Sequence, residues 1–227
     1  MFSHPLDRPV WSMLCGRQAH LAEGDARARR IDPGYGPFGA AADEGAAAQA
    51  ALAGLVPEAG ELWIVERSPP PLPPGVREVK RATLAQMVAE GPPPAPRPGD
   101  PPIIPLGEDH ADDMAALADH ARPGPWGSKT RFYGPFYGIV EQGRLLAMAG
   151  QRMLMPGMAE VSGVATWADC RGRGFARALI AHVMREMALR GDRPFLHSYA
   201  DNAGAIGLYE SLGFARRCDI HLLAVAR

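Results

Sequence analysis

Lysine is almost missing from this 227-residue chain: Lys80 and Lys129 stand alone, and arginine carries the rest of the positive charge. That bias points to a GC-rich, bacterial genome and carries no chemistry of its own. Neither sign of charge is in excess. With 24 basic and 25 acidic residues the formal net charge is -1, which removes any global attraction to nucleic acid or to an anionic membrane. An anion site, if there is one, must be local. Cysteine is scarce as well. Cys15, Cys170 and Cys218 are too few and too scattered for a disulfide framework or a zinc cluster, so they read as free thiols in a reducing compartment, and no metal is expected. No run of about 18 apolar residues occurs. The start, MFSHPLDRPVW, sets Pro5, Asp7 and Arg8 where a signal peptide needs its apolar stretch. The expectation is a soluble, cytoplasmic protein without membrane or nucleic-acid partners. The sequence leaves a homodimer open.

What is present is enough apolar residue, 47% of the chain, for a packed core, and no internal repeat. Proline clusters divide it. In GPPPAPRPGDPP, Gly91 to Pro102, most residues lack an N–H or have φ fixed, so neither helix nor central strand persists. This predicts an N-terminal α+β unit over 1–91, a semi-rigid linker over 92–102 and a second domain over 103–227. Within the first unit, Glu44 to Val56 reads as an Ala-rich helix, and RRIDPGYGPFGA as a turn-rich loop. Glu61 to Glu66 reads as a strand, and Val76 to Glu90 as alternation passing into helical spacing. His4 and Asp7 lack partners for a metal site and read as capping and surface residues.

Beyond the linker the pattern predicts the order β-α-β-β-β-α-β-α-β. Pro102 to Leu106 is a short strand, followed by a helix with Asp109, Asp112 and Asp113 at its start, where the helix dipole favours acids. Gln142-Gly143 separates two alternating apolar runs as a hairpin turn, and Met158 to Trp167 forms the next strand. In ADCRGRGFARALIAHVM, Ala168 to Met184, glycines lead into a helix whose apolar residues Phe175, Leu179, Val183 and Met187 recur every four positions, with Gly191 placed to cap its end. A helix start of this kind offers backbone N–H groups without intrahelical partners, and small residues let an anion approach them. No Walker-type loop and no dinucleotide fingerprint competes with that reading.

Arg171-Gly172-Arg173-Gly174-Phe175-Ala176 fits a loop of Gln or Arg, any two residues, Gly, any residue, then Gly or Ala. With GVATWADCRGRGFA upstream and YADNAGAIGLYESLGF downstream, it resembles the fourth strand, pyrophosphate loop and following segments of the GNAT superfamily of acyl-CoA N-acyltransferases. The likeness covers Ile103 to Arg227. Trp167-Ala168 stands where the family often has His-Pro, and Ala176 where its loop often ends in Gly; neither removes a donor. The resemblance implies an α/β fold with a mixed central sheet flanked by helices, here beside the smaller N-terminal α+β unit. It also implies that 1–91 is a degenerate half of the same fold walling one side of the acceptor groove.

It further implies acetyl-CoA as co-substrate and direct attack of a neutral amine on the thioester in a ternary complex, through an oxyanion that fixed backbone donors stabilise. By the same likeness, main-chain groups of Val164, Ala165 and Thr166 pair with the pantetheine arm. Gly172, Arg173, Gly174, Phe175 and Ala176 hold the pyrophosphate, with Arg171 positioning the loop; Arg173 and Arg177 add charge or stay solvated. Asn202 binds the cofactor or caps a helix. Tyr209 protonates the leaving thiolate or is a half-buried aromatic. An amine is mostly protonated at neutral pH, so a base is needed. Glu160, an even offset from Val164 and so expected on its face, resembles the family's base, and His197 is the alternative. Trp126, Tyr133 and Tyr137 fall near the acceptor groove. A module that binds acyl-CoA without turnover is the second reading, but it has no use for Tyr209 and Glu160.

Overall fold

The computed structural model describes residues 4–227; residues 1–3, the start of the MFSHPLDRPVW stretch, lie outside the described residues. In chain order the helices are α1 (Pro9–Cys15), α2 (Ala46–Gly54), α3 (Ala111–Ala121), α4 (Phe175–Leu189) and α5 (Ala203–Ser211). The strands are β1 (Ala22–Gly24), β2 (Ala28–Ile31), β3 (Gly39–Ala41), β4 (Leu62–Glu66), β5 (Arg77–Ala89), β6 (Ile104–Leu106), β7 (Phe136–Glu141), β8 (Arg144–Met155), β9 (Met158–Thr166), β10 (Arg193–Tyr199) and β11 (Phe214–Ala226). From β6 onward the order is the one expected.

One eight-stranded sheet runs β4-β11-β5-β10-β9-β8-β7-β6, and β1, β2 and β3 form a separate three-stranded sheet. Only β9 and β10 are parallel neighbours in the large sheet, joined by the α4 crossover. Alternation along the strands decides which layer each residue meets. Leu84 and Val88 of β5 pack with Val10, Met13 and Leu14 of α1 on one face. Ala85 and Met87 pack with Leu179, Val183 and Met187 of α4 on the other. Gln142 and Gly143 both take positive φ, 53° and 76°, and close the β7–β8 hairpin in the mirror-image turn that suits strand twist.

The sequence expectations for the N-terminal half need correction. Val76 to Glu90 does not pass into a helix; Arg77–Ala89 is a single strand of 13 residues. Its last six residues are all buried because helices cover both faces, and that erases the alternation marking a strand. The turn-rich stretch from Arg29 to Ala40 supplies parts of β2 and β3. Nor does the segment before the prolines form a sheet apart from the rest. β5 lies between β10 and β11, and β4 pairs with β11, so both strands belong to the sheet that continues beyond the linker. The prolines bridge rather than divide: the Pro94 carbonyl accepts from Arg185 Nη1 of α4 at 2.7 Å.

Two irregularities interrupt the β8–β9 ladder. Met148 faces Ala165 and Gly150 faces Ser162, so Ala149 alone opposes both Gly163 and Val164. Gly163 makes this bulge at φ 63°, a left-handed conformation that glycine adopts without a Cβ penalty. Further along, Gln151 faces Val161 and Leu154 faces Ala159, so Arg152 and Met153 together oppose Glu160.

Candidate active site

β9 and β10 pair only at Met158 to Glu160 against Arg193 to Phe195. β9 continues to Thr166 and β10 to Tyr199 without further pairing, so the β10-facing backbone of Val161 to Thr166 has no strand partner among the described residues. A cavity of about 330 Å³ opens along this split, lined by Val161, Ser162, Gly163 and Val164 from β9 and His197, Ser198 and Tyr199 from β10. Asn202, Ala205, Leu208 and Tyr209 add α5 to its rim. A second cavity, about 320 Å³, lies around the Arg8–Glu66 ion pair and shares no residue with this one.

At one end of the split stands the glycine loop. Gly172 and Gly174 have φ of 78° and 79°, and a Cβ at either would meet nothing within 4 Å, so the loop faces open space. α4 starts at Phe175 with Gly174 as its N-cap and no side-chain cap, which leaves first-turn N–H groups for an external acceptor. Arg173 is engaged by Glu141 at 2.8 Å, and its guanidinium lies 4.4 Å from the Phe175 ring centroid. Two buried polar atoms nearby lack hydrogen-bond partners among the described residues, Thr166 Oγ1 and Arg177 Nη1. Burial without a partner is costly, and both atoms sit beside the strand and loop expected to meet acetyl-CoA. The residues present therefore fit that group: an unpaired strand edge for an amide-bearing arm and free helix N–H groups for a pyrophosphate.

Asn202 caps α5, its side-chain oxygen accepting from Ala205 N at 3.2 Å, and also lines the cavity. Tyr209 lines the cavity and packs edge-on against Phe214. Its hydroxyl has no hydrogen-bond partner among the described residues, and burial pushes its pKa up, which keeps the phenol protonated.

Glu160 is the main correction. The even offset from Val164 does not put the two on one face, because the extra residue at the Gly163 bulge reverses the alternation between them. Val161 and Val164 both pack toward α4. Glu160 points to the opposite face, 0% exposed, and does not line the cavity. Arg152 grips it with Nε at 2.8 Å and Nη2 at 2.7 Å. Burial alone pushes its carboxyl up, but the Arg152 charge and the hydrogen bonds from Arg152 and His197 outweigh that and hold it well below the usual carboxylate range. An ionised carboxylate so satisfied is a poor direct base.

His197 occupies the position between that carboxylate and the cavity. Its Nδ1 is 2.8 Å from Glu160 Oε1 and its Nε2 3.0 Å from Gln86 Nε2. The Gln86 amide is oriented by two further bonds: Nε2 donates to Leu6 O, and Oε1 accepts from Arg217 Nη1, each at 2.8 Å. These partners fix the tautomer, with Nδ1–H donating to Glu160 and the Nε2 lone pair accepting from Gln86. Arg217 in turn binds Asp7, which is 2% exposed and not the surface residue the sequence suggested. His4 does cap, its Nδ1 accepting from Leu6 N.

The aromatics expected at the acceptor groove lie off this cavity. Tyr133 is buried against Tyr35, Tyr137 packs on His182 of the α4 face, and Trp126 packs on Phe136. Asp109, Asp112 and Asp113 are at the start of α3 and do not line it either. Its far wall is built instead by Phe38, Trp63, Val65, Leu84 and Leu222, most of them from the half read as a separate unit. Arg152 was likewise outside the sequence reading; a lone arginine in an apolar strand was the available signal. Among the described residues no group of three or more His, Cys, Asp or Glu is placed to hold a metal ion, and no helix is long and apolar enough to cross a membrane.

Comparison with known proteins agrees with this fold. Residues 136–221 match the family model described as FR47-like protein. The ribosomal protein bS18-alanine N-acetyltransferase of Escherichia coli is 31% identical over 106 residues, 43% of this chain and 70% of that one. A solved structure from Novosphingobium aromaticivorans, assigned to the GNAT acetyltransferases, superposes with a TM-score of 0.93 at 50% identity over 99% of both chains. A GCN5-related N-acetyltransferase from Kribbella flavida shares the fold, with a TM-score of 0.64 at 18% identity over 95% of this chain and 91% of that one.

Proposed function

Because the chain belongs to the GNAT family of acetyltransferases, we propose that it moves an acetyl group from acetyl-CoA to a primary amine by direct attack in a ternary complex. The observation that carries this reading is the split between β9 and β10, with the open glycine loop at one end and both Tyr209 and His197 lining the cavity. Acetyl-CoA supplies the activated acyl group. The unpaired backbone of Val164, Ala165 and Thr166 and the amide side chain of Asn202 orient its arm. N–H groups from Gly172 to Ala176 meet its pyrophosphate, with Arg171 and Arg177 adding charge; Arg173, paired to Glu141, contributes mainly backbone.

Tyr209 holds a proton at its hydroxyl, exposed to the cavity and without a competing acceptor, and donates it to the departing sulfur. His197 takes the proton that the acceptor amine must lose. The Nε2 lone pair that receives it is the one now held by the Gln86 amide, so proton uptake opens that contact. Glu160 does not touch the amine. It holds Nδ1–H and stabilises the imidazolium, while Arg152 keeps it ionised. The likeness to an enzyme named as an N-acetyltransferase of an alanine in ribosomal protein bS18 supports an α-amine as nucleophile, since alanine carries no other amine.

The test is calorimetric titration with acetyl-CoA, with Gly174→Glu in parallel, followed by thiol release with amines. Micromolar binding lost in the variant, with turnover, supports the reading. Binding without turnover on any amine leaves a module that only holds acyl-CoA, and no binding by folded protein removes both.

A further inference from the structure

The acceptor side of the cavity carries more information than the word amine. Its wall, Phe38, Trp63, Val65, Leu84 and Leu222, is apolar, with the Phe38 and Trp63 rings set edge-on at 6.2 Å. All but Leu222 precede the 136–221 span common to the family model, and Leu222 follows it, so this surface is particular to the chain's other segments. Among the described residues no aspartate or glutamate lines the cavity, and the buried carboxylate that touches its lining, Glu160, is already satisfied by Arg152 and His197. Nothing here attracts a polyamine or any acceptor with a second positive charge.

The charge that does face the cavity is positive. Arg122 and Arg152 are the lysine or arginine residues on its lining. Arg152 spends Nε and Nη2 on Glu160, which leaves Nη1 without a hydrogen-bond partner among the described residues. Arg122 makes no ion pair or hydrogen bond through its side chain among the described residues. It sits at the C-cap of α3 with φ 48°, a left-handed position that glycine normally fills. A strained arginine with an idle guanidinium at a cavity mouth is a reason to look for its ligand. Two unused guanidinium donors match a carboxylate.

We propose that the acceptor is a free α-amino acid with an apolar or aromatic side chain. Its carboxylate meets Arg122 and Arg152 Nη1, its side chain lies on the Phe38–Trp63 wall, and its amine points to His197. The inference rests on the acetyltransferase reading. The ammonium loses one proton to His197 and then to solvent. Its nitrogen bonds the acetyl carbon as the C–S bond breaks; the nitrogen's next proton is released while Tyr209 protonates the sulfur and is itself reprotonated. The products are the N-acetylamino acid, CoA and one proton. A protein N-terminus bears an amide where the free amino acid has its carboxylate and gains nothing from the two guanidiniums.

The experiment measures acetyl-CoA binding by calorimetry and, on the same preparation, thiol release with L-phenylalanine, L-methionine, 2-phenylethylamine, spermidine and a short peptide beginning with alanine. The expected result is a kcat/KM for phenylalanine at least about tenfold above that for 2-phenylethylamine, reduced about tenfold as a ratio in Arg122→Gln. Trp63→Ala should raise KM for phenylalanine. Acetyl-CoA binding with turnover favouring 2-phenylethylamine, spermidine or the peptide overturns the inference and leaves the acetyltransferase reading intact. A phenylalanine preference that Arg122→Gln leaves unchanged overturns the carboxylate contact, and with it the inference. Failure to bind acetyl-CoA removes the parent reading and the inference together.

Discussion

His197 Nδ1 lies 2.8 Å from Glu160 Oε1, although the β9–β10 register sets Glu160 beside Phe195 and not beside His197. The two side chains meet diagonally, on the sheet face away from α4, at the last rung before the strands part. Each therefore does what the other cannot. The imidazole reaches the cavity, and the carboxylate, shut away from it, sets the imidazole's tautomer.

That division predicts unequal effects on activity. His197→Gln should lower kcat about 100-fold, within the range for removing a general base, and remove the acid limb of the kcat/KM profile. Glu160→Gln should cost about tenfold and keep the limb, because the carboxylate does not itself take the proton from the amine. Measurement of pH–rate profiles for both variants decides it. A profile in which Glu160→Gln loses the limb and His197→Gln keeps it would return the base to Glu160.

Glu160 should also govern acid stability. Its carboxyl is held below the ordinary value in the folded chain, Arg152 and His197 outweighing the effect of burial. On acidification the unfolded chain therefore takes up the proton first. The stability this group contributes is complete above the ordinary glutamate pKa of about 4.3 and is lost as pH falls below it. At neutral pH, Glu160→Gln leaves Arg152 buried without its ion pair, a loss on the order of 3–5 kcal/mol. Thermal unfolding from about pH 6 to 3 should show the melting curves of wild type and variant converging toward acid. Parallel curves would contradict the ion pair's role.

How far the sequence reaches is visible in these same residues. The glycine loop, α4 and Asn202 were legible because their chemistry is local: positive-φ glycines, a four-residue apolar spacing and a cap within a few positions of each other. The place of Tyr209 on α5, beside the cavity, was legible through its motif. Glu160 was identified as important but assigned to the wrong face, since a strand's parity argument assumes no bulge, and nothing in VSGVAT distinguishes a bulged glycine from an ordinary one. β5 was misread because burial on both faces removes alternation. The apolar wall from Phe38, Trp63 and Val65 depends on β4 pairing with β11 across the whole chain, a long-range contact that no spacing encodes.

Tyr209→Phe separates chemistry from packing. The ring's contacts with Phe214 stay, and the lost hydroxyl has no hydrogen-bond partner among the described residues, so the melting temperature should hold within a degree or two, as expected for about 0.5 kcal/mol or less. The proton donor is gone, so kcat should fall about 10- to 100-fold with acetyl-CoA affinity within about twofold. Burial raises the phenol's pKa, so in wild type the donor is retained through mildly alkaline pH, and loss of activity from its ionisation belongs above the ordinary tyrosine value of about 10. A large stability loss in the variant would show a structural role instead.

Gly163 tests whether the bulge makes the site. An alanine there must adopt φ 63°, which costs roughly 1–2 kcal/mol for a residue with a Cβ. That Cβ would stand 2.6 Å from Phe136 Cε1 and 3.6 Å from Trp126 Cζ3, and overpacking of this kind adds about 1–3 kcal/mol. The chain can avoid both costs by flattening the bulge. Doing so restores strict alternation, rotates Val164 away from α4 and disturbs the backbone of Val164 to Thr166 that faces the split. Gly163→Ala should therefore lower the melting temperature by roughly 4–20 °C, taking about 2–4 °C per kcal/mol for a chain of this size, and weaken acetyl-CoA binding at least about tenfold. Gly143→Ala, at an exposed hairpin where a Cβ meets nothing within 4 Å, carries the left-handed strain without the clash or the site. It should lose stability and keep acetyl-CoA affinity. Equal affinity in the two variants at a temperature where both are folded would mean that the bulge shapes the core alone and that the split forms without it.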